Sequence, residues 1–149
     1  MTLAKKDEVN MVVRPATLFD IKEILYIEKE VIKSNCREAD IKKSIIQNRC
    51  IVGCIDERIC GFLIYHHHFF GQFFVDLVIV SPRKRRNGVA KSLLRYIEEN
   101  CQTSKIFSST NQSNQPMQEV FKTLGYVESG VINNLDEDDP EIIYVRFNK

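Results

Sequence analysis

The residues of this chain best placed to do chemistry stand in one stretch, Val78-Ile79-Val80-Ser81-Pro82-Arg83-Lys84-Arg85-Arg86-Asn87-Gly88-Val89-Ala90. Phe73 to Val80 is nearly continuous in apolar residues, so it reads as a strand buried on both faces. Pro82 ends it. A helix is expected from about Asn87 to Asn100, with Val89, Leu93, Tyr96 and Ile97 on one face. A basic turn joins the two. The first N–H groups of a helix have no partner within it, and the helix dipole makes that end positive. Gly88 and Ala90 carry little or no side chain, so a bulky anion can approach the backbone closely. A phosphate or pyrophosphate site follows, without a choice of ligand. The P-loop pattern G-x-x-x-x-G-K-S/T is absent.

Asp76 lies in the middle of the apolar strand. A carboxylate in such a place needs a partner or a purpose. It reads either as a general base acting through water or as a sheet residue satisfied by a neighbouring Arg or by backbone.

The stretch resembles the GNAT superfamily of acyl-CoA-dependent N-acetyltransferases. That family carries Q/R-x-x-G-x-G/A after a strand that ends in V-x-P. Here the residues are Val80-Ser81-Pro82, then Arg85-x-x-Gly88-x-Ala90, then Leu93-Leu94. The family's last helix carries N-x-x-A-x-x-x-Y-x-x-x-G-F/Y. Here that reads Asn114-x-x-Met117-x-x-x-Phe121-x-x-x-Gly125-Tyr126. The resemblance runs from Val12 to Phe147.

The resemblance implies transfer of an acetyl group from acetyl-CoA to a primary amine, carried by a small molecule or a peptide. It implies that the amides from Arg86 to Ala90, through Asn87, Gly88 and Val89, hold the CoA pyrophosphate, with Arg85 and Lys91 beside them. Main-chain pairing of Val80 with the pantetheine arm is implied too. The N–H of Val78 would be the oxyanion donor, and Asn114 would bond the cofactor arm. An acid often stands at the place of Asp76. Phe121 would contact the cofactor where the family commonly has a Tyr that protonates the departing thiolate. The missing hydroxyl keeps open a non-catalytic acyl-CoA sensor on the same fold. No Cys or Ser lies in a nucleophile motif, so no covalent intermediate is expected.

The basic run Arg83 to Arg86 could instead serve nucleic acid, but its strand–turn–helix setting already explains it, and no nucleic-acid partner is expected. Tyr26, Tyr65, Tyr126 and Tyr144 read as core or rim aromatics. The acidic segment Asp136 to Asp139 with Glu141 reads as a solvated loop. In the resembling family that loop lies near the acceptor, where it would attract a cationic amine.

These residues need elements to hold them. Residues 1 to 10 are expected to be a flexible leader and 11 to 149 one domain. Met11 to Arg14 reads as a strand stopped at Pro15. Thr17, with Asp20 three residues on, reads as a capped helix start. Ile21, Ile24, Leu25, Val31 and Ile32 keep helical spacing to about Lys33, and a second helix is expected near Glu38 to Asn48. Strands are expected at Cys50 to Ile55, Ile59 to His66, Phe73 to Val80 and Ser104 to Ser109. A helix follows from Ser113 to Leu124, then strands at Tyr126 to Leu135 and Ile142 to Phe147. The order is β-α-α-β-β-β-α-β-α-β-β. This is an α/β domain with a mixed central sheet of about seven strands and about four helices.

The 149 residues bury an adequate core, and 44% apolar with 28% charged residues at a net charge of +1 is ordinary globular composition. The five cysteines form no CxxC pair, no apolar run reaches a membrane span, and no secretory signal is expected before the domain. The expected setting is the cytoplasm, without membrane or metal. Alternation along a strand would place the rings of His66, His67 and His68 on two sides, poor geometry for a shared metal. Homodimerisation is left open.

Overall fold

The structure, a computed structural model, describes residues 10–32 and 37–148. The leader, apart from Asn10, lies outside the described residues, as do Lys33, the expected end of the first helix, and Cys36.

Among the described residues, seven strands and four α-helices follow one another in the expected order. They are β1 (Met11–Pro15), α1 (Ile21–Ile32), α2 (Glu38–Ile46), β2 (Cys50–Ile55), β3 (Arg58–Phe69), β4 (Gln72–Val80), α3 (Val89–Asn100), β5 (Lys105–Asn111), α4 (Gln115–Thr123), β6 (Val127–Ile132) and β7 (Glu141–Phe147). One sheet takes them all in the order β1-β2-β3-β4-β5-β7-β6. Only β4 and β5 run parallel, joined through α3; the other neighbours are antiparallel. The domain is therefore α/β with a mixed sheet.

Each face has its own core. On one, Val89, Leu93, Leu94 and Ile97 of α3 and Phe121 of α4 pack on Leu63, Val75, Ile106 and Tyr144. On the other, Ile24 and Ile27 of α1 and Ile41 and Ile45 of α2 pack on Val52, Phe62 and Ile79. Each fully buried side chain of this size contributes about 1.5–3 kcal/mol against leaving it in water. The α3 pattern (i, i+4, i+5, i+8) is the apolar stripe that its sequence carries.

The start of α1 is fixed by charge. Asp20 is buried, and both its oxygens accept from the Arg14 guanidinium, at 2.8 and 3.0 Å. Its Oδ2 also accepts the Thr17 N–H at 2.8 Å, so the expected Thr17–Asp20 reach is present. The residues Leu18–Asp20 form a short 3-10 turn before the α-helix proper.

One expectation is corrected. β4 is not buried on both faces: Asp76 is exposed, and Val78 and Val80 are half-buried. A parallel neighbour covers only the first part of this strand.

Candidate active site

β4 and β5 pair over three rungs, Phe73 with Ile106, Phe74 with Phe107 and Val75 with Ser108. Beyond Val75 the two strands part. The separation begins where β4 is bulged. Tyr65 of β3 opposes Val75 and Ile64 opposes Leu77, so Asp76 is the extra residue. The bulge also exchanges faces. Val75 packs under α3, and after it Val78 and Val80 take that face while Leu77 and Ile79 turn to α1.

The parted strands leave an open main-chain edge. Ser81 donates its N–H to Cys60 O of β3 at 2.7 Å. By alternation Ile79 and Leu77 also bond towards β3, and the N–H and C=O groups of Val78 and Val80 face the gap that β5 has left. That edge can pair with an extended chain and can donate one N–H to a developing oxyanion.

The gap runs down to the basic turn. Gly88 precedes α3 with φ +78° and Arg86 has φ 72°. Two left-handed residues close together turn the chain so that the helix starts on the sheet beneath it. A Cβ at Gly88 would meet no atom within 4 Å, so the space above it is open. Among the described residues, no amide from Arg86 to Lys91 donates to a protein acceptor; the first helical bond is Ser92 N–H to Gly88 O at 3.0 Å. Asn87 is exposed, and its Nδ2 donates to Lys84 O at 3.1 Å. Arg83 reaches α1 and pairs with Glu30 at 3.4 Å, while Lys84, Arg85 and Arg86 are exposed. The Val89 side chain is buried, so that residue has only its amide to offer. Backbone donors without protein acceptors beside three exposed cations are an arrangement that can seat an anion.

A second device sets the height of that helix. Gly53 and Gly61 stand opposite each other on β2 and β3. A Cβ on Gly61 would fall 2.8 Å from Ile79 O and 2.9 Å from Val89 Cγ1. The first turn of α3 therefore rests on bare backbone, a close approach that the sequence reading did not anticipate. Glycines facing a strand-to-helix junction were the signal for it.

Asn114 caps α4, its Oδ1 accepting the Met117 N–H at 3.2 Å. That oxygen is committed to the helix, and the amide NH₂ remains available. Phe121 is fully buried, stacked on Tyr144 at 4.8 Å and tilted against Tyr126 at 5.1 Å. Its ring lies in the core rather than at the surface.

The Tyr26 hydroxyl lies beside Arg83 of the basic turn, while those of Tyr65, Tyr126 and Tyr144 are held elsewhere. Tyr65 Oη donates to Asn48 O at 3.0 Å. Burial raises the Tyr126 hydroxyl well above its ordinary pKa, and Glu98 adds to the rise, at the far end of α3 from the anion seat. Burial likewise raises that of Tyr144, whose charged neighbours are Glu128 and Glu119.

The acidic segment is tied to the foot of β5. Asp136 Oδ2 accepts from Asn111 Nδ2 at 2.9 Å, and Asp139 accepts the Ser113 hydroxyl and N–H at 2.6 and 3.0 Å. Two of its acids thus hold the loop, leaving Glu137 and Asp138 as its unpaired charges among the described residues. The three histidines do not divide cleanly between two sides: His66 and His68 stack at 5.7 Å, with His66 on Phe74, and His67 leans on Phe73 at 6.1 Å, but the His67 ring is also 4.8 Å from that of His68, where the register of β3 on β4 shifts after His66. No described helix is long and apolar enough to cross a membrane.

Comparison with known proteins is consistent along the chain. The model of the family described as acetyltransferase (GNAT) family matches residues 18–126. An acetyltransferase of the GNAT family from Bacillus cereus is 46% identical, with a TM-score of 0.89 over 92% of this chain and 96% of that one. The ribosomal-protein-S18-alanine N-acetyltransferase from Escherichia coli is 15% identical, with a TM-score of 0.81 over 93% and 94%. A putative acetyltransferase from Salmonella typhimurium with its cofactor acetyl-CoA is 12% identical, with a TM-score of 0.79 over the same shares. A search of the curated proteins found no match.

Proposed function

Since the chain belongs to the GNAT acetyltransferase family, we propose that it moves the acetyl group of acetyl-CoA to a primary amine by direct attack in a ternary complex. The observation that carries this reading is the gap between β4 and β5, with the Val78 and Val80 main chain facing into it and the anion seat at its foot.

The roles follow from position. The amides from Arg86 to Lys91 would take the pyrophosphate, with Arg85, Arg86 and Lys84 adding charge. The Val80 main chain would pair with the amide-bearing arm of the co-substrate as a strand pairs with its neighbour. The free NH₂ of Asn114 would donate to the same arm. A neutral amine then forms its N–C bond at the thioester carbonyl, and the Val78 N–H steadies the oxygen as charge builds on it. The C–S bond breaks and its electron pair leaves on sulfur. Asp76, exposed on the bulge, takes the amine's proton through water. A thiol has a pKa near about 8.5, so thiolate departs tolerably without a dedicated acid.

The test is an amine panel with acetyl-CoA, following free CoA thiol. Thiol release that depends on an amine, with the acetylated amine seen by mass, is the expected result. A protein that fails to bind acetyl-CoA refutes the reading.

A further inference from the structure

The helices cover the sheet unequally. α3 and α4 lie on one face, above the anion seat. On the other face α1 and α2 pack on β2, β3 and β4, and their core cluster contains no residue of β5, β6 or β7. The gap between β4 and β5 therefore opens on a face half of which has no helix over it among the described residues.

Ile143 and Val145 on that half are nevertheless buried, and the half is aromatic where it borders the gap. Phe74 and Phe107 are neighbours on adjacent strands, one rung above the point where the strands part. Phe69 comes from the long β3 arm and lies between them, its ring 4.8 Å from that of Phe74 and 5.0 Å from that of Phe107. His66 stacks on Phe74 at 5.5 Å. All four are half-buried, so each ring keeps a surface towards solvent. A folded chain has no need of three phenylalanines grouped just above the apex of a polar gap, and such patches mark contact surfaces.

The charges beside the wall are two carboxylates and one cation, Arg49, which donates to Tyr65 O at 2.9 Å and acts on the His66 ring. Asp76 is exposed two residues from Phe74, and Glu141 accepts the Ser109 hydroxyl at 2.6 Å on the β5 side of the gap. The His66 Nδ1 accepts the His68 N–H at 3.0 Å. Burial lowers the pKa of that ring, with Asp76 pulling the other way. A neutral imidazole does not repel an ammonium. Lys105 is the nearest basic residue on the same face of β5, two residues further from the gap.

We propose that Phe69, Phe74 and Phe107 are the acceptor-selecting wall, and that the acceptor is a primary amine carried on an aromatic or bulky apolar body. The body lies on the rings. The amine reaches past them to Asp76 and the Val78 N–H, and as an ammonium it is drawn to the two carboxylates and the ring faces. This inference rests on the acetyltransfer reading above.

The test compares 2-phenylethylamine with spermidine and ethanolamine as acceptors, for the wild type and for Phe107→Ala and Phe69→Ala. Phe69 lies near the end of β3, outside both core clusters, so its variant serves if Phe107→Ala fails to fold. The expected result is that phenylethylamine is the best of the three by kcat/KM. Each variant should raise its KM about tenfold or more, leaving the KM for acetyl-CoA and for ethanolamine within about twofold. A hydrophilic amine preferred by the wild type overturns the proposal, and so does an equal loss for all acceptors. A further outcome also overturns it. Val127 and Ile132 continue this face on β6 and are exposed. If sedimentation shows a dimer that Phe69→Ala dissociates, the wall is a subunit interface. Failure to bind acetyl-CoA would instead strike the acetyltransfer reading itself.

Discussion

The Ser108 hydroxyl donates to the Val75 carbonyl at 2.9 Å, with Ser108 2% exposed, on the last rung that β4 and β5 share. Above this bond the sheet is closed, and below it the strands part. Ser108→Ala should destabilise the domain by about 1 kcal/mol, the net worth of one hydrogen bond. It should also let the apex fray. Urea unfolding reads the first effect, and faster amide exchange at Phe107 and Val75 reads the second. An unchanged midpoint with unchanged exchange would show that pairing alone sets where the gap begins.

Gly88 is the sharpest test of the anion seat. Gly88→Glu places bulk and negative charge in open space above the amides. A non-glycine residue at this left-handed φ costs about 1–2 kcal/mol. The fold should survive and acetyl-CoA binding should disappear. Gly88→Ala carries the same backbone strain without the charge, and should keep measurable binding. Calorimetry on both proteins separates strain from site, and unchanged affinity in a folded Gly88→Glu protein would remove the site.

Asp76 stands on the bulge and is open to water. Asp76→Asn should lower kcat by about 10²- to 10⁴-fold, the usual contribution of a positioned base. Its affinity for acetyl-CoA should change little, because the carboxylate lies away from the anion seat. A loss below about threefold, with a good acceptor in hand, would leave Asp76 as the residue that exposes the bulge and nothing more.

The Arg14–Asp20 pair makes stability depend on pH. The Arg14 guanidinium, above all, holds the Asp20 carboxyl below its ordinary value, and the Thr17 N–H adds to this. A carboxyl lowered by folding contributes stability that is complete above its unfolded pKa, about 3.9. The contribution fades as pH falls through the lower, folded value. Asp20→Asn should therefore cost about 1–3 kcal/mol at neutral pH. The gap between variant and wild type should narrow steadily below about pH 4. Urea midpoints from pH 7 to pH 3 test it, and a constant gap would sink the linkage.

Phe121→Tyr restores a hydroxyl that the motif commonly has. The ring is fully buried against Tyr144 and Tyr126. An added hydroxyl without a partner there costs about 1–3 kcal/mol. The variant should fold with a lower melting temperature and hold or raise kcat. A fall in kcat of more than about tenfold would mean that the phenyl ring itself shapes the site.

Much of this protein is legible in its sequence. The element order follows from apolar periodicity, which is a local property of the chain. The free amides at the start of α3 follow from Gly88 after a basic turn, because a helix start has free amides wherever it occurs. What sequence could not supply is relation between distant strands. Phe73 to Val80 reads as uniformly buried, because hydropathy cannot see that β5 pairs with only its first part. A bulge is likewise a count of residues against a partner, so the change of face at Asp76 exists only once β3 is alongside. The same holds for Gly61, whose missing side chain matters because Val89 rests on it, and for Phe69, Phe74 and Phe107, three separate aromatics in sequence that the sheet register sets side by side above the apex of the gap.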